Sequence, residues 1–116
     1  MANVLIVDDE PTIRRLVQLV LELEGHRVTT AGNGQQALDR VGEQAPDVLL
    51  LDVRLPGMDG RELLRRVDAL HLDTRVMLLS AMPGLERETA GSADAVLSKP
   101  FELEHLVEAV DRLAAR

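Results

Sequence analysis

Five residues of types suited to metal or phosphate chemistry each sit where an apolar run stops. Asp8 and Asp9 follow Asn3-Val4-Leu5-Ile6-Val7, and Asp52 follows Val48-Leu49-Leu50-Leu51. Ser80 ends the run that starts at Arg75, and Lys99 follows Ala95-Val96-Leu97-Ser98. Carboxylates gathered at one place repel: a pair about 4 Å apart costs about 4 kcal/mol at an effective dielectric of about 20. A divalent cation together with the Lys99 ammonium balances three negative charges. Oxygen ligands without His or Cys select a hard cation; Mg²⁺ accepts one or two carboxylates plus waters and phosphate oxygens, and Mn²⁺ suits the same donors. A carboxylate in such a site can accept a phosphoryl group covalently, with the cation and lysine facing the transferring oxygens. Taken singly, each residue has a plain structural role. An Asp pair caps a helix, a Ser closes a turn, a Lys is solvated. Yet Lys99 is the sole lysine beside twelve arginines, and a compact point charge is what Arg does not supply.

The elements that must position these groups alternate. Unbroken runs rich in Val, Ile and Leu suit strands buried on both faces. They predict strands at 3–7, 27–31, 48–51, 75–79 and 95–98. Pro11 opens a helix carrying Ile13, Leu16, Val17, Val20 and Leu21 on one face and ending at Gly25. Further helices are expected over Gly34–Gln44, with Ala37, Leu38 and Val41 inward, and over Gly60–Leu70, burying Leu63, Leu64, Val67 and Leu70. A short one is expected near Leu85–Ala90, and the last over Glu102–Arg116. Five strands alternating with five helices predict an α/β fold, a doubly wound five-stranded parallel sheet with helices on both faces. The flavodoxin-like strand order 2-1-3-4-5 brings Asp8, Asp9, Asp52, Ser80 and Lys99 to one rim, beyond the carboxyl ends of the strands.

Composition removes other classes. The 116 residues fit one domain, 1–116, with no room for a second. There is no cysteine and hence no disulfide. No run is long enough to span a membrane, and the first residues carry no secretion signal, so the expected location is the cytoplasm. Twenty acidic against thirteen basic residues give a net charge of −7, and Phe101 is the sole aromatic. Such a chain repels phosphate backbones and lacks stacking platforms, so direct nucleic-acid binding is not expected.

With these motifs in view, the chain resembles a response regulator receiver domain of bacterial two-component systems. The likeness rests on Val-Asp-Asp-Glu (7–10), Leu-Leu-Asp-Val-Arg-Leu-Pro-Gly-Met-Asp-Gly (50–60), Ser-Ala (80–81) and Lys-Pro-Phe (99–101), and it covers essentially all of the sequence. The resemblance implies that Asp52 is the phosphoacceptor. It implies that Asp9 and Asp52 ligate Mg²⁺ directly, Asp8 acts largely through water, and the Arg54 backbone carbonyl completes the set. Lys99 would contact the phosphoryl oxygens, Ser80 would hydrogen-bond one of them, and N–H groups near Arg54 and Ala81 would add to this. The Lys99–Pro100 bond would be cis. The donor would be a phosphohistidine on a sensor histidine kinase or phosphotransfer protein. The output would go to a downstream protein or a linked output domain, from a monomer or a weak phosphorylation-dependent dimer. The protein would be a switch rather than an enzyme, catalysing its own phosphoryl uptake and slow loss.

Three features depart from the family pattern. Val96 stands where the family has a switch aromatic. The stretch from Ser80 to Lys99 is about one helical turn short. Arg54 and Met82 occupy positions that govern how water reaches an acyl phosphate. The loop from Ser80 to Gly91 is the segment expected to move. A dehalogenase-type phosphatase also uses Asp, Mg²⁺ and Lys, but needs Asp-x-Asp after the first strand, where this chain has adjacent acids. A degenerate receiver that only binds partners is disfavoured by the intact acids, Ser80 and Lys99. His26, His71 and His105 read as surface residues, and Met58, Met77 and Met82 as packing or loop residues. Arg14-Arg15 and Arg65-Arg66 read as solvated helix faces, the first pair with partner recognition as a second role.

Overall fold

The computed structural model describes residues 2–54, 57, 60–80 and 93–115, with Ser80 described for its backbone alone. The strands are β1 (Asn3–Val7), β2 (Arg27–Ala31), β3 (Val48–Asp52), β4 (Arg75–Ser80) and β5 (Ala95–Ser98). The helices are α1 (Pro11–Leu23), α2 (Gly34–Glu43), α3 (Gly60–Asp68) and α4 (Leu103–Ala114). The short helix expected near 85–90 lies outside the described residues. All strand pairs are parallel and the order is β2-β1-β3-β4-β5, as the sequence pattern requires.

Alternation along each central strand divides the core into two layers. Leu5, Val7, Leu49, Leu51, Val76 and Leu78 face α2 and α3, which contribute Ala37, Val41, Leu63, Leu64 and Val67. Val4, Ile6, Val48, Leu50, Met77 and Leu79 face α1 and α4, which contribute Val17, Leu21, Leu106, Ala109, Val110 and Leu113. Both faces of β3 are covered, which explains its unbroken apolar run. α2 is capped by Asn33, whose Oδ1 accepts from the Gln36 N–H at 2.9 Å. α1 has Pro11 in its first turn but no side-chain cap at Glu10.

Three positions differ from the expectation. Leu16 is 43 % exposed, because α1 turns Val17 and Leu21 inward and leaves Leu16, Leu19 and Leu23 outside. Leu70 is 52 % exposed, because α3 ends at Asp68 and a turn through His71, at φ 53°, carries the chain away. His26 is buried rather than on the surface. Its Nδ1 accepts from the Ala2 N–H at 3.2 Å, and its Nε2 lies 2.8 Å from Asp111 Oδ1. The first role fixes the proton on Nε2, so the ring donates to Asp111 and ties the start of the sheet to α4.

Candidate functional site

The sheet order makes β1 and β3 neighbours, so Asp8 and Asp52 meet where those strands end. Asp8 is 0 % and Asp52 6 % exposed, while Asp9 is exposed. Carboxylate oxygens of Asp8, Asp9 and Asp52 all lie within 4.8 Å of one another. Lys99 comes in from the end of β5 and its Nζ donates to Asp52 Oδ2 at 2.8 Å and Asp8 Oδ2 at 3.2 Å. The Lys99–Pro100 bond is cis, as expected. The remaining oxygens accept from the backbone: Asp52 Oδ1 from the Arg54 N–H at 2.9 Å, Asp8 Oδ1 from the Glu10 N–H at 2.9 Å. No hydrogen bond joins the Asp9 carboxylate to the described residues.

Four of the anticipated groups thus converge: Asp8, Asp9, Asp52 and Lys99. Arg54 takes part through its N–H, and its side chain is exposed. Ser80 ends β4 opposite Ser98, on the same rim; its side chain, with Ala81 and Met82, lies outside the described residues. Val96 pairs with Leu78 and packs, half-buried, into the layer under α2 and α3. His71 and His105 are exposed, and Met77 is in the core.

Two supports were not legible from residue types. Arg14 is not a solvated helix residue: its Nη1 donates to the Asp8 carbonyl oxygen at 2.8 Å. Only the six-residue spacing from Asp8 across the start of α1 could have hinted at it. Gly60 opens α3 with its N–H donating to the Val53 carbonyl at 2.9 Å, drawing the helix against the segment after Asp52. A methyl group there would stand 2.6 Å from the Val53 Cα and carbonyl oxygen and 2.8 Å from the Asp52 carbonyl oxygen. Backbone must then move, so Gly60→Ala is expected to destabilise the fold by about 1–3 kcal/mol, read as a lower urea midpoint. An unchanged midpoint would refute the tight approach.

The electrostatics are unbalanced without a cation. Burial raises the Asp8 pKa, the Glu10 N–H opposes this, and the Asp52 charge raises it further against the pull of Lys99, leaving it above the usual carboxylate value. A raised carboxylate pKa means that the fold prefers protonated Asp8. That contribution is present at low pH and lost as pH climbs through the raised value. Asp8→Asn is therefore expected to raise the Tm of the metal-free protein at neutral pH by a few degrees and to flatten this decline. Thermal unfolding between about pH 4 and about pH 7 in chelating buffer checks both. A Tm lowered at neutral pH would contradict the assignment. The donor set itself suits a hard divalent cation. All three donors are oxygen, they are near one another, and Asp9 leaves a solvent-facing approach.

The profile of the response regulator receiver domain matches residues 4–111. The chain belongs to that family. It is 40 % identical over 117 residues to the transcriptional regulatory protein TrcR of Mycobacterium tuberculosis, covering 98 % of this chain and 46 % of TrcR. It is 38 % identical over 113 residues to sporulation initiation phosphotransferase F of Bacillus subtilis, covering 95 % of this chain and 91 % of that protein. Among solved structures it resembles the response regulator TrrA of Thermotoga maritima in complex with Mg(2+)-BeF. The TM-score is 0.88 and the identity 34 %, over 97 % of this chain and 99 % of that one. The chain spans about half the length of several of the curated relatives it matches. Among the described residues no helix is long and apolar enough to cross a membrane.

Proposed function

We propose that residues 1–116 form a single phosphorylation-dependent receiver that takes a phosphoryl group from a histidine kinase or phosphotransfer protein onto Asp52. The observation that carries this reading is the Lys99 ammonium held between Asp52 and Asp8 inside a three-carboxylate cluster. Asp9 and Asp52 would hold Mg²⁺, or Mn²⁺, directly, with Asp8 through water and the Arg54 carbonyl completing the protein donors. When bound, the cation neutralises charge on the acids and on the phosphoryl oxygens. An ionised Asp52 carboxylate needs no base: its oxygen forms the O–P bond while the P–N bond breaks, and that electron pair returns to the histidine ring. Lys99 would then turn from the carboxylate to the phosphoryl oxygens. Ser80 and the N–H groups of Arg54 and Ala81 would bind the others, and Ser80 and Val96 would relay the change.

Each charge-assisted bond gained is worth roughly 1.5–3 kcal/mol, so two or three reach the roughly 5.5 kcal/mol needed to invert a 1:99 population. A cleft of about 450 Å³ beside the acids, lined by Ile13, Leu16, Val17, Phe101 and Leu103, supports docking of a phosphohistidine-bearing partner there. Slow autodephosphorylation would reset the site, without turnover of external substrates. The output would pass to a downstream protein or a linked output domain in the cytoplasm, from a monomer or a weak phosphorylation-dependent dimer. This domain itself would make no contact with nucleic acid. Intact mass after incubation with a small phosphodonor tests the reading. Uptake of a single phosphoryl group, dependent on Mg²⁺, is expected. Many equivalents of released phosphate would indicate an enzyme, and no uptake a partner-binding domain.

A further inference from the structure

Three of the four converging groups are held on at least two sides, and Asp9 is the exception. The Asp8 N–H donates to the Ala31 carbonyl at 3.2 Å, Asp8 Oδ1 accepts from Glu10 and Oδ2 from Lys99. Asp52 is fixed by Arg54 and Lys99. Asp9 is exposed, and no hydrogen bond joins its carboxylate to the described residues. What orients it is the peptide plane that joins it to Asp8, and the Asp8 carbonyl in that plane is held by Arg14 Nη1 at 2.8 Å. The guanidinium reaches this carbonyl by lying over Gly32, where a Cβ would stand 3.0 Å from Arg14 Nη1. Gly32 is itself tethered, its N–H donating to Gln36 Oε1 at 2.9 Å.

We propose that Arg14, seated over Gly32, is a positioning residue that sets the direction of the Asp9 carboxylate for a divalent cation. This rests on the receiver reading of the acid cluster, and it gives Arg14 a task separate from partner recognition. Two effects of the side chain oppose each other. Its positive charge repels a cation, so its removal by charge alone would tighten binding. Its hydrogen bond pre-orders a ligand, and loss of such an outer support weakens metal binding by roughly tenfold or more. The sign of the change separates them.

The test titrates MgCl₂ into the full chain and follows the backbone amide signals of residues 8–10. Arg14→Met is expected to raise the half-saturating Mg²⁺ concentration roughly tenfold. Arg14→Lys, which keeps charge and a donor, should restore most of the affinity. Gly32→Ala, which crowds the guanidinium without changing charge, should weaken binding in the same direction. In metal-free Arg14→Met the Glu10 amide, bonded to Asp8 Oδ1, should exchange with solvent faster at a temperature where melting shows the protein folded. Unchanged or tighter Mg²⁺ binding in Arg14→Met overturns the assignment, as does a lysine variant no better than methionine. Wild type that binds Mg²⁺ at these amides yet accepts no phosphoryl group overturns the signalling reading and leaves the Arg14 assignment standing. Wild type whose amides ignore Mg²⁺ overturns both.

Discussion

Asp52→Ala should abolish phosphoryl uptake, leaving the intact mass of the treated protein at that of the untreated one. The other acids do not offer a substitute. Asp8 is buried completely and already engaged through both oxygens. Asp9 is exposed and lies beyond the direct reach of Lys99, which bonds Asp8 and Asp52. Asp52, buried but for 6 % of its surface, has a lysine contact at 2.8 Å and a backbone donor at 2.9 Å, the surroundings that stabilise charge on a transferring group. The variant should stay folded, because removing one of three repelling acids leaves Lys99 paired with Asp8. Labelling of Asp52→Ala equal to wild type would move the acceptor elsewhere. A folded protein by thermal unfolding, with no label, is the expected pair of results.

Lys99→Met should slow uptake by about 10²–10³-fold, the usual cost of losing one preorganised charge donor at a reacting centre. It should also weaken the metal-free fold, since two buried carboxylates would lose their shared cation; removing one partner of a buried pair costs about 3–5 kcal/mol. Saturating Mg²⁺ should recover much of that stability but little of the rate, because the cation replaces the charge balance and not the ammonium at the phosphoryl oxygens. Rates from intact mass and Tm with and without Mg²⁺ separate the two losses. Equal rates for variant and wild type would remove Lys99 from the reacting centre. The pH behaviour adds a check. Burial lowers the Lys99 pKa, but the hydrogen bond and charge of Asp52, then those of Asp8, outweigh it and leave it above the usual lysine value. A raised lysine pKa contributes stability that is complete below the usual value and lost only as pH rises through the raised one. Wild type should therefore keep this stability through the neutral range and lose it only in strong alkali.

The sheet was readable because its cause is periodic. Runs such as Val48–Leu51 are apolar at every position, which suits a strand covered on both faces, and the observed strands begin and end within a residue of those expected. The convergence of Asp8, Asp9, Asp52 and Lys99 followed from strand order alone, since each occupies a strand end on the same rim. What escaped were contacts set by reach rather than by pattern. Arg14 looked like half of a solvated pair because helical spacing says nothing of a side chain folding back six residues to a carbonyl. His26 reads as superficial because it lies away from the rim and lacks metal-ligand spacing, yet an amide on one side and Asp111 on the other satisfy it in the interior. Leu16 and Leu70 show the reverse error, an apolar residue assigned inward by periodicity when the helix rotates, or ends, before reaching the core.

The lysine that closes the acid cluster stands 91 positions along the chain from Asp8 and 47 from Asp52. No local segment can assemble that arrangement, and the chain must bridge those 91 positions before an ammonium bonds the acid side chains. A nascent or partly opened polypeptide therefore carries the acids without the lysine that offsets them. Affinity for a divalent ion at this spot is thus a gauge of whether β5 has docked, so a titration that watches the acids also watches the completeness of the whole sheet.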